Sequence, residues 1–87
     1  MVKVKAITLE DGRLVRSESG AWVYTGARGT FTGSTPSEAL AKAYNVNVNA
    51  VEVRYIRFRD FGVRALVCVE GWCELHDVEC EEGGSRG

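Results

Sequence analysis

Alternating hydrophobic and polar residues dominate this chain, and a period of two is typical of half-buried β-strands. The alternation runs through VKVKAITL (2–9), AWVYTGARGTFTG (21–33), VEVRYIRFR (51–59), VRALVCV (63–69) and WCELHDVEC (72–80). Asp11-Gly12 predicts a two-residue turn from the first run into LVRS (14–17), with Leu9 opposite Leu14. Gly26 and Gly29 predict a second hairpin, which turns at Ala27-Arg28.

One segment, STPSEALAKAYN (34–45), has a helical pattern instead. Thr35 is the predicted N-cap, Pro36 the first helical residue, and Glu38 the carboxylate that completes a capping box. Asn45 suits the left-handed residue that ends a helix. An apolar stripe at helical spacing comprises Ala39, Leu40, Ala43 and Tyr44. The pattern therefore predicts one short helix over about 36–44.

The predicted elements are two N-terminal hairpins, one short capped helix and three C-terminal strands, which together make an α+β fold with a mainly antiparallel sheet. At 87 residues the chain has the size of one domain. We predict a globular domain over 1–80 and a disordered acidic, Gly-rich tail over 81–87. The element order resembles the β-grasp architecture, and segment 35–70 resembles small β-α-β-β modules. Neither resemblance comes with a diagnostic motif, so no residue role is transferred.

A single short helix cannot cover both faces of such a sheet, although both faces are partly apolar. The residues that can face the helix are Val51, Val53, Val63, Val67, Val69 and Trp72. The opposite face then carries Ile56, Phe58, Leu66 and Leu75. Either the N-terminal hairpins or a second subunit must cover that face.

All three cysteines and the only histidine lie in ALVCVEGWCELHDVEC (65–80). A two-residue turn at Glu70-Gly71 pairs Cys68 with Cys73 and Arg64 with Asp77. The same register puts His76 and Cys80 on the other face, so the four side chains do not converge on one metal ion. We therefore expect no metal and no cofactor. Two alternatives stay open for the facing pair, a Cys68–Cys73 disulfide or two packed free thiols.

Signs of catalysis are weak. His76 and Cys80 are about 13 Å apart on an extended strand, too far for a nucleophile and its base. The segments GARG (26–29) and GTFTG (29–33) lack the residues of a phosphate-binding loop. We expect no enzymatic activity and no small-molecule substrate.

Basic and aromatic residues interleave in RYIRFRDFGVR (54–64), a composition that suits RNA or single-stranded DNA. The candidate nucleic-acid-binding residues are Arg54, Tyr55, Arg57, Phe58, Arg59 and Arg28. The alternative is a two-sided strand whose arginines pair with acidic residues of the last strand. The distribution of charge fits this alternative. Residues 1–64 carry ten Lys/Arg and six Asp/Glu, a net +4, and residues 65–87 carry one Arg and six acids, a net −5.

The sequence as a whole predicts a small non-catalytic interaction or structural module that binds a protein or forms homo-oligomers. A nucleic-acid-binding module is the alternative. No apolar run approaches the ~18 residues of a membrane span, and MVKVKAITLEDGRL (1–14) lacks a signal-peptide core, so we expect a cytoplasmic protein without membrane contact. The absence of Gln, with only three Asn and one Met, favours a thermophilic source.

Overall fold

A computed structural model describes residues 3–81. The strands are β1 (Lys3–Leu9), β2 (Gly12–Arg16), β3 (Trp22–Gly26), β4 (Gly29–Gly33), β5 (Val51–Phe58), β6 (Gly62–Val69) and β7 (Trp72–Glu81). Between β4 and β5 lie the helix α1 (Pro36–Tyr44) and a single 3-10 turn (Val48–Ala50). The predicted tail falls outside this range except for Glu81, which is the last residue of β7 and pairs with Lys3. Neither helical segment within residues 3–81 is long and apolar enough to cross a membrane.

The seven strands form one sheet in the order β4-β3-β2-β1-β7-β6-β5, and every pairing is antiparallel. Two meanders, β1–β4 and β5–β7, therefore join where β1 pairs with β7. The β-grasp has a mixed sheet, so the wholly antiparallel order does not support that resemblance. What stands is a small domain with a mostly antiparallel sheet and one short helix.

Strand β7 pairs with different neighbours along its length. Its first half pairs with β6 as far as Arg64–Asp77, and its second half pairs with β1 from Ile7–Val78 onward. The register between β1 and β7 shifts between Val4 and Ala6, which is a β-bulge at Lys5. The bulge puts Val4 and Ile7 on the same face although they are three residues apart. The predicted register of the last hairpin would continue from Arg64–Asp77 to a Val63–Val78 pair, but that pair is wrong, because Val78 pairs with Ile7 of β1 instead.

Helix α1 begins and ends as the sequence predicts. Thr35 is the N-cap, and its hydroxyl accepts a hydrogen bond from the Glu38 backbone N–H at 3.1 Å. Asn45 ends the helix in the left-handed conformation, with φ of 58°. In a capping box, the Glu38 carboxylate would accept a hydrogen bond from the N–H of the N-cap residue, Thr35. Here it accepts from the N–H of the preceding residue, Ser34, at 2.8 Å. The N-terminal turn is still closed by two side-chain hydrogen bonds.

The hydrophobic core lies between α1 and one face of the sheet. The helix contributes Ala39, Leu40, Ala41 and Ala43, all buried. Facing them are Ile7, Leu9, Leu14, Trp22, Tyr24, Val51, Ala65 and Val67, also buried. Burial raises the pKa of Tyr24, whose hydroxyl donates to the Asp11 carbonyl oxygen at 3.3 Å. The core is thus a single layer of side chains between one helix and one sheet.

The first hairpin differs from its predicted register. Ile7, not Leu9, lies opposite Leu14, and Leu9 lies opposite Gly12, so the turn is at Glu10-Asp11. The reason is the position of Gly12, which pairs with Gly26 of β3 where the two backbones come close. A Cβ on Gly12 would lie 2.5 Å from the Thr25 carbonyl oxygen and 2.8 Å from the Gly26 Cα. Gly12 is therefore a packing residue of β2 and does not form the turn.

Replacing Thr35 with Ala should lower the free energy of unfolding by about 1 kcal/mol, because the Glu38 N–H loses its acceptor. Denaturant unfolding of the two proteins measures the loss. Ser37→Ala is the matched control, since it also removes a hydroxyl from the first turn but not the N-cap, and should cost nothing. Equal midpoints for Thr35→Ala and the parent protein would mean that the helix begins elsewhere.

Replacing Gly12 with Ala should destabilise the fold by about 3 kcal/mol, because the new methyl group meets backbone atoms that cannot rotate away. Thermal unfolding compares it with Gly20→Ala. Gly20 has φ of 95° but no atom within 4 Å of an added Cβ, so that change should cost only about 1 kcal/mol of backbone strain. A Gly12→Ala cost no larger than that of Gly20→Ala would contradict the close approach of β2 and β3.

Candidate functional site

The strand registers divide the side chains of the sheet between a helix side, which holds the core, and the opposite side, here called the open face. The N-terminal hairpins extend the sheet sideways, so they do not cover the open face as one of our two expectations required. Val51, Val67 and Val69 lie on the helix side as predicted, and each belongs to or packs against the core. Trp72 is also on that side, but it is 74% exposed because the helix does not reach it.

An apolar patch lies on the open face at the β5–β7 end of the sheet. It consists of Ile56, Phe58, Phe61, Leu66 and Leu75. Phe61, in the turn between β5 and β6, is 69% exposed, and Leu75 is 51% exposed. Beside Phe61 is a hollow of about 270 Å³, lined by Phe58, Phe61, Arg64 and Leu75. The patch therefore has a projecting ring next to a concave space.

The charged residues around the patch are paired with one another. Arg64 forms an ion pair with Asp77, as predicted, and its guanidinium lies 5.9 Å from the centre of the Phe61 ring. Arg54 contacts Glu52 at 2.6 Å. Further along the open face, Arg13 contacts Glu79 at 2.9 Å. All of these pairs are exposed, so each contributes little to stability. Their effect is to leave the open face with little net charge.

Cys68 and Cys73 form a disulfide across the final hairpin, with Cα atoms 4.0 Å apart. The register that the sequence predicts for β6 and β7 is confirmed from Arg64–Asp77 to Val69–Trp72. The disulfide lies on the open face, and His76 and Cys80 lie on the helix side. Within residues 3–81, no three or more His, Cys, Asp or Glu side chains lie close enough together to hold a metal ion.

The six predicted nucleic-acid-binding residues do not share one surface. On β5, Arg54 and Phe58 belong to the open face, whereas Tyr55 and Arg57 belong to the helix side. Arg59 follows β5 in the turn to β6. The alternation of a strand therefore separates side chains that are adjacent in sequence.

Arg28, the sixth of these residues, has a local structural partner. Its guanidinium contacts the Asp11 carboxylate at 3.0 Å and lies over the Tyr44 ring, 4.1 Å from the ring centre. The hydrogen bond to Asp11 raises the pKa of Arg28. Burial raises the pKa of the Tyr44 hydroxyl. The negative charge of Asp11 raises this pKa further, whereas the positive charge of Arg28 lowers it. Arg28 thus ties the second hairpin to the first hairpin and to the helix end.

The concave features of the surface have no signature in the sequence. The hollow at Phe61 and two hollows beside the helix are each built from several elements. No short motif marks them, because the residues that line each hollow come from separate elements of the chain. The exposure of Phe61 has a weak sequence signal, since it lies in RDFG, where Asp60 and Gly62 favour a turn.

Peptide mapping without reductant should recover Cys68 linked to Cys73, and Cys80 as a free thiol. The expectation follows from the register, which places Cys80 on the opposite side of the sheet from the other two cysteines. Digestion of denatured, thiol-blocked protein followed by mass spectrometry identifies the linked peptides. A Cys68–Cys80 link in freshly isolated protein would contradict the register of β7.

Comparison with protein-family models gives no match, and comparison with curated proteins and with solved structures gives no significant match.

Proposed function

We propose that this protein is a small non-catalytic interaction module that associates with a second copy of itself through the open face. The observation that carries the proposal is the apolar patch, where Phe61 and Leu75 are more than half exposed on a sheet face that no other element of residues 3–81 covers. Monomeric proteins rarely expose a contiguous apolar surface of this kind without using it. A sheet with two partly apolar faces needs a layer on each side, and α1 supplies only one layer.

The shape of the patch favours an identical partner. In a two-fold dimer, each residue contacts the symmetry mate of its own neighbours. The Phe61 ring of one copy projects next to the hollow that Phe58, Arg64 and Leu75 line, so the ring and the space to receive it are on the same surface. Two copies related by a two-fold axis then exchange their rings, which buries both hydrophobic side chains.

A stable dimer interface must extend beyond the apolar patch, because the patch alone is too small. Stable interfaces bury about 800 Å² per partner, roughly one-seventh of the 5735 Å² accessible surface of this chain. The remaining open face is suitable, because β1–β4 present short neutral side chains there, including Thr8, Thr25, Thr30 and Thr32, and the half-exposed Val15. Two such faces can stack about 10 Å apart as a β-sandwich.

The electrostatics of the open face also favour a protein partner over nucleic acid. Arg64, Arg54 and Arg13 are each paired with a carboxylate of the same face. Phosphate binding would have to separate these pairs, and the aromatic residues that would stack on bases are divided between two faces. A cytoplasmic location and the absence of catalysis are part of the same proposal.

Sedimentation velocity should find a concentration-dependent dimer that persists from about 0.1 to 1 M NaCl, since an apolar contact is not weakened by screening. The double variant Phe61→Ser with Leu75→Ser should raise the dimer dissociation constant at least about 30-fold, as expected for two central apolar residues. Trp72→Ser is the matched control, because Trp72 is equally exposed but lies on the helix side.

Two results would contradict this proposal. The first is a parent protein that stays monomeric at several hundred micromolar. The second is a monomer that is retained on RNA or single-stranded DNA at low salt and released as salt rises, which would favour the nucleic-acid alternative. In that case, replacing Arg57 and Arg59 with Ala should reduce the salt dependence by about one unit per lost phosphate contact.

A further inference from the structure

A cavity of about 600 Å³ opens on the helix side, at the end of the sheet where α1 begins. Its walls are mainly apolar and come from four strands: Val4 of β1, Trp22 of β3, Val53 of β5 and Val63 of β6. Trp22 is 7% exposed and belongs to the core, so this wall is fixed by the packing of the fold. Ligand cavities in proteins commonly have volumes of about 300–1,000 Å³ with mainly apolar linings.

The cavity exists because the helix is short. Nine residues of helix span about 14 Å, whereas seven strands span roughly 29 Å. The helix begins after β4 and runs towards the start of β5. The end of β5 and the start of β6, which pair with each other, are therefore left without a cover. The first turn of the helix forms one rim of the space that remains.

Positive charge converges on the rim of the cavity. Lys3 of β1 and Arg57 of β5 both line it, and neither lies within salt-bridge distance of a carboxylate among residues 3–81. The first helical turn adds the positive end of the helix dipole and the Ser37 hydroxyl. Two carboxylates near this end have other partners: Glu81 pairs with Arg16 at 3.1 Å, and Glu38 of the first helical turn accepts a hydrogen bond from the Ser34 backbone N–H at 2.8 Å. The cavity therefore combines an apolar body with a cationic mouth.

Tyr55 also lines the cavity, between Val53 and Arg57 on the same side of β5. Partial burial raises the pKa of its hydroxyl, while the positive charge of Arg16 lowers it. The hydroxyl is therefore neutral at physiological pH and available as a hydrogen-bond donor at the mouth. A hydroxyl donor next to the Arg57 guanidinium on the same side of β5 favours an anionic oxygen.

We propose that this cavity binds a small amphipathic anion, whose apolar body packs against Trp22, Val53 and Val63 and whose carboxylate or phosphate lies between Lys3 and Arg57. The cavity is on the opposite side of the sheet from the apolar patch. Ligand binding and self-association therefore use separate surfaces, and one can fail without the other.

The probe is 4-phenylbutyrate, and 4-phenylbutanamide is its neutral counterpart of nearly the same shape. Trp22 and Trp72 are the only tryptophans, so in a Trp72→Phe protein the intrinsic fluorescence reports on the cavity wall alone. We expect a saturable fluorescence change with 4-phenylbutyrate and at least about tenfold weaker binding of the amide, because the amide cannot form a charge-assisted hydrogen bond.

A matched pair of variants locates the site. Lys3→Gln with Arg57→Gln should weaken 4-phenylbutyrate binding at least about tenfold. Arg54→Gln with Arg59→Gln removes the same charge from outside the cavity and should leave affinity within about twofold. The proposal is overturned if the protein does not bind 4-phenylbutyrate at millimolar concentration, if acid and amide bind equally, or if both double variants lose affinity to the same extent.

Discussion

One helix of nine residues against a sheet of seven strands is the constraint on which the rest of this structure depends. The bulky side chains that have no exposed surface include those of Leu14, Tyr24 and Leu40, which lie in the core between the helix and the sheet. Elsewhere, the described residues 3–81 supply no second layer to the sheet. The open face, the exposed Trp72 and the hollows beside the helix are all consequences of this shortage of covering elements.

The junction of β1 and β7 makes the uncovered surface continuous. Without it, the chain would form two separate meanders, and the core residues Ile7 and Ala65 would belong to different sheets. Strand β7 joins them by changing neighbours after Asp77, and the bulge at Lys5 keeps Val4 and Ile7 facing the helix side. The result is a wide sheet whose open face is apolar at one end and rich in threonine at the other.

The ion pairs of the open face join the basic and the acidic parts of the chain. Chain segments of opposite net charge meet in the sheet, since Arg13 and Arg64 of the first 64 residues contact acidic residues of β7. The charge split between the two parts of the sequence is thus largely neutralised within the fold. A surface with little net charge is better suited to binding a protein than to binding a polyanion.

Sequence patterns predicted the local features because those features depend on neighbouring residues. The caps at Thr35 and Asn45, the turn at Glu70-Gly71 and the facing pair Cys68–Cys73 all follow from side chains within a few positions of each other. The sequence left the redox state of the two thiols open, and the structure contains the disulfide.

The features that sequence analysis missed depend on distant contacts. The register of the first hairpin is set by the approach of Gly12 to β3, and the pairing of β1 with β7 joins residues more than 70 positions apart. The candidate nucleic-acid residues were grouped by adjacency in sequence, but strand geometry divides them between two faces. The cavity at the start of the helix requires the whole topology before it exists.

Solvent accessibility of the five leucines tests the central claim, that the open face is bare in the monomer and covered on association. In methyl-labelled Phe61→Ser protein at low concentration, a neutral paramagnetic chelate should broaden the Leu66 and Leu75 methyl signals strongly and leave Leu14 and Leu40 sharp. In the parent protein at concentrations where it associates, the Leu66 and Leu75 signals should become protected as well. Protection of Leu75 in the dilute variant, or full exposure of Leu75 in the concentrated parent protein, would contradict the account.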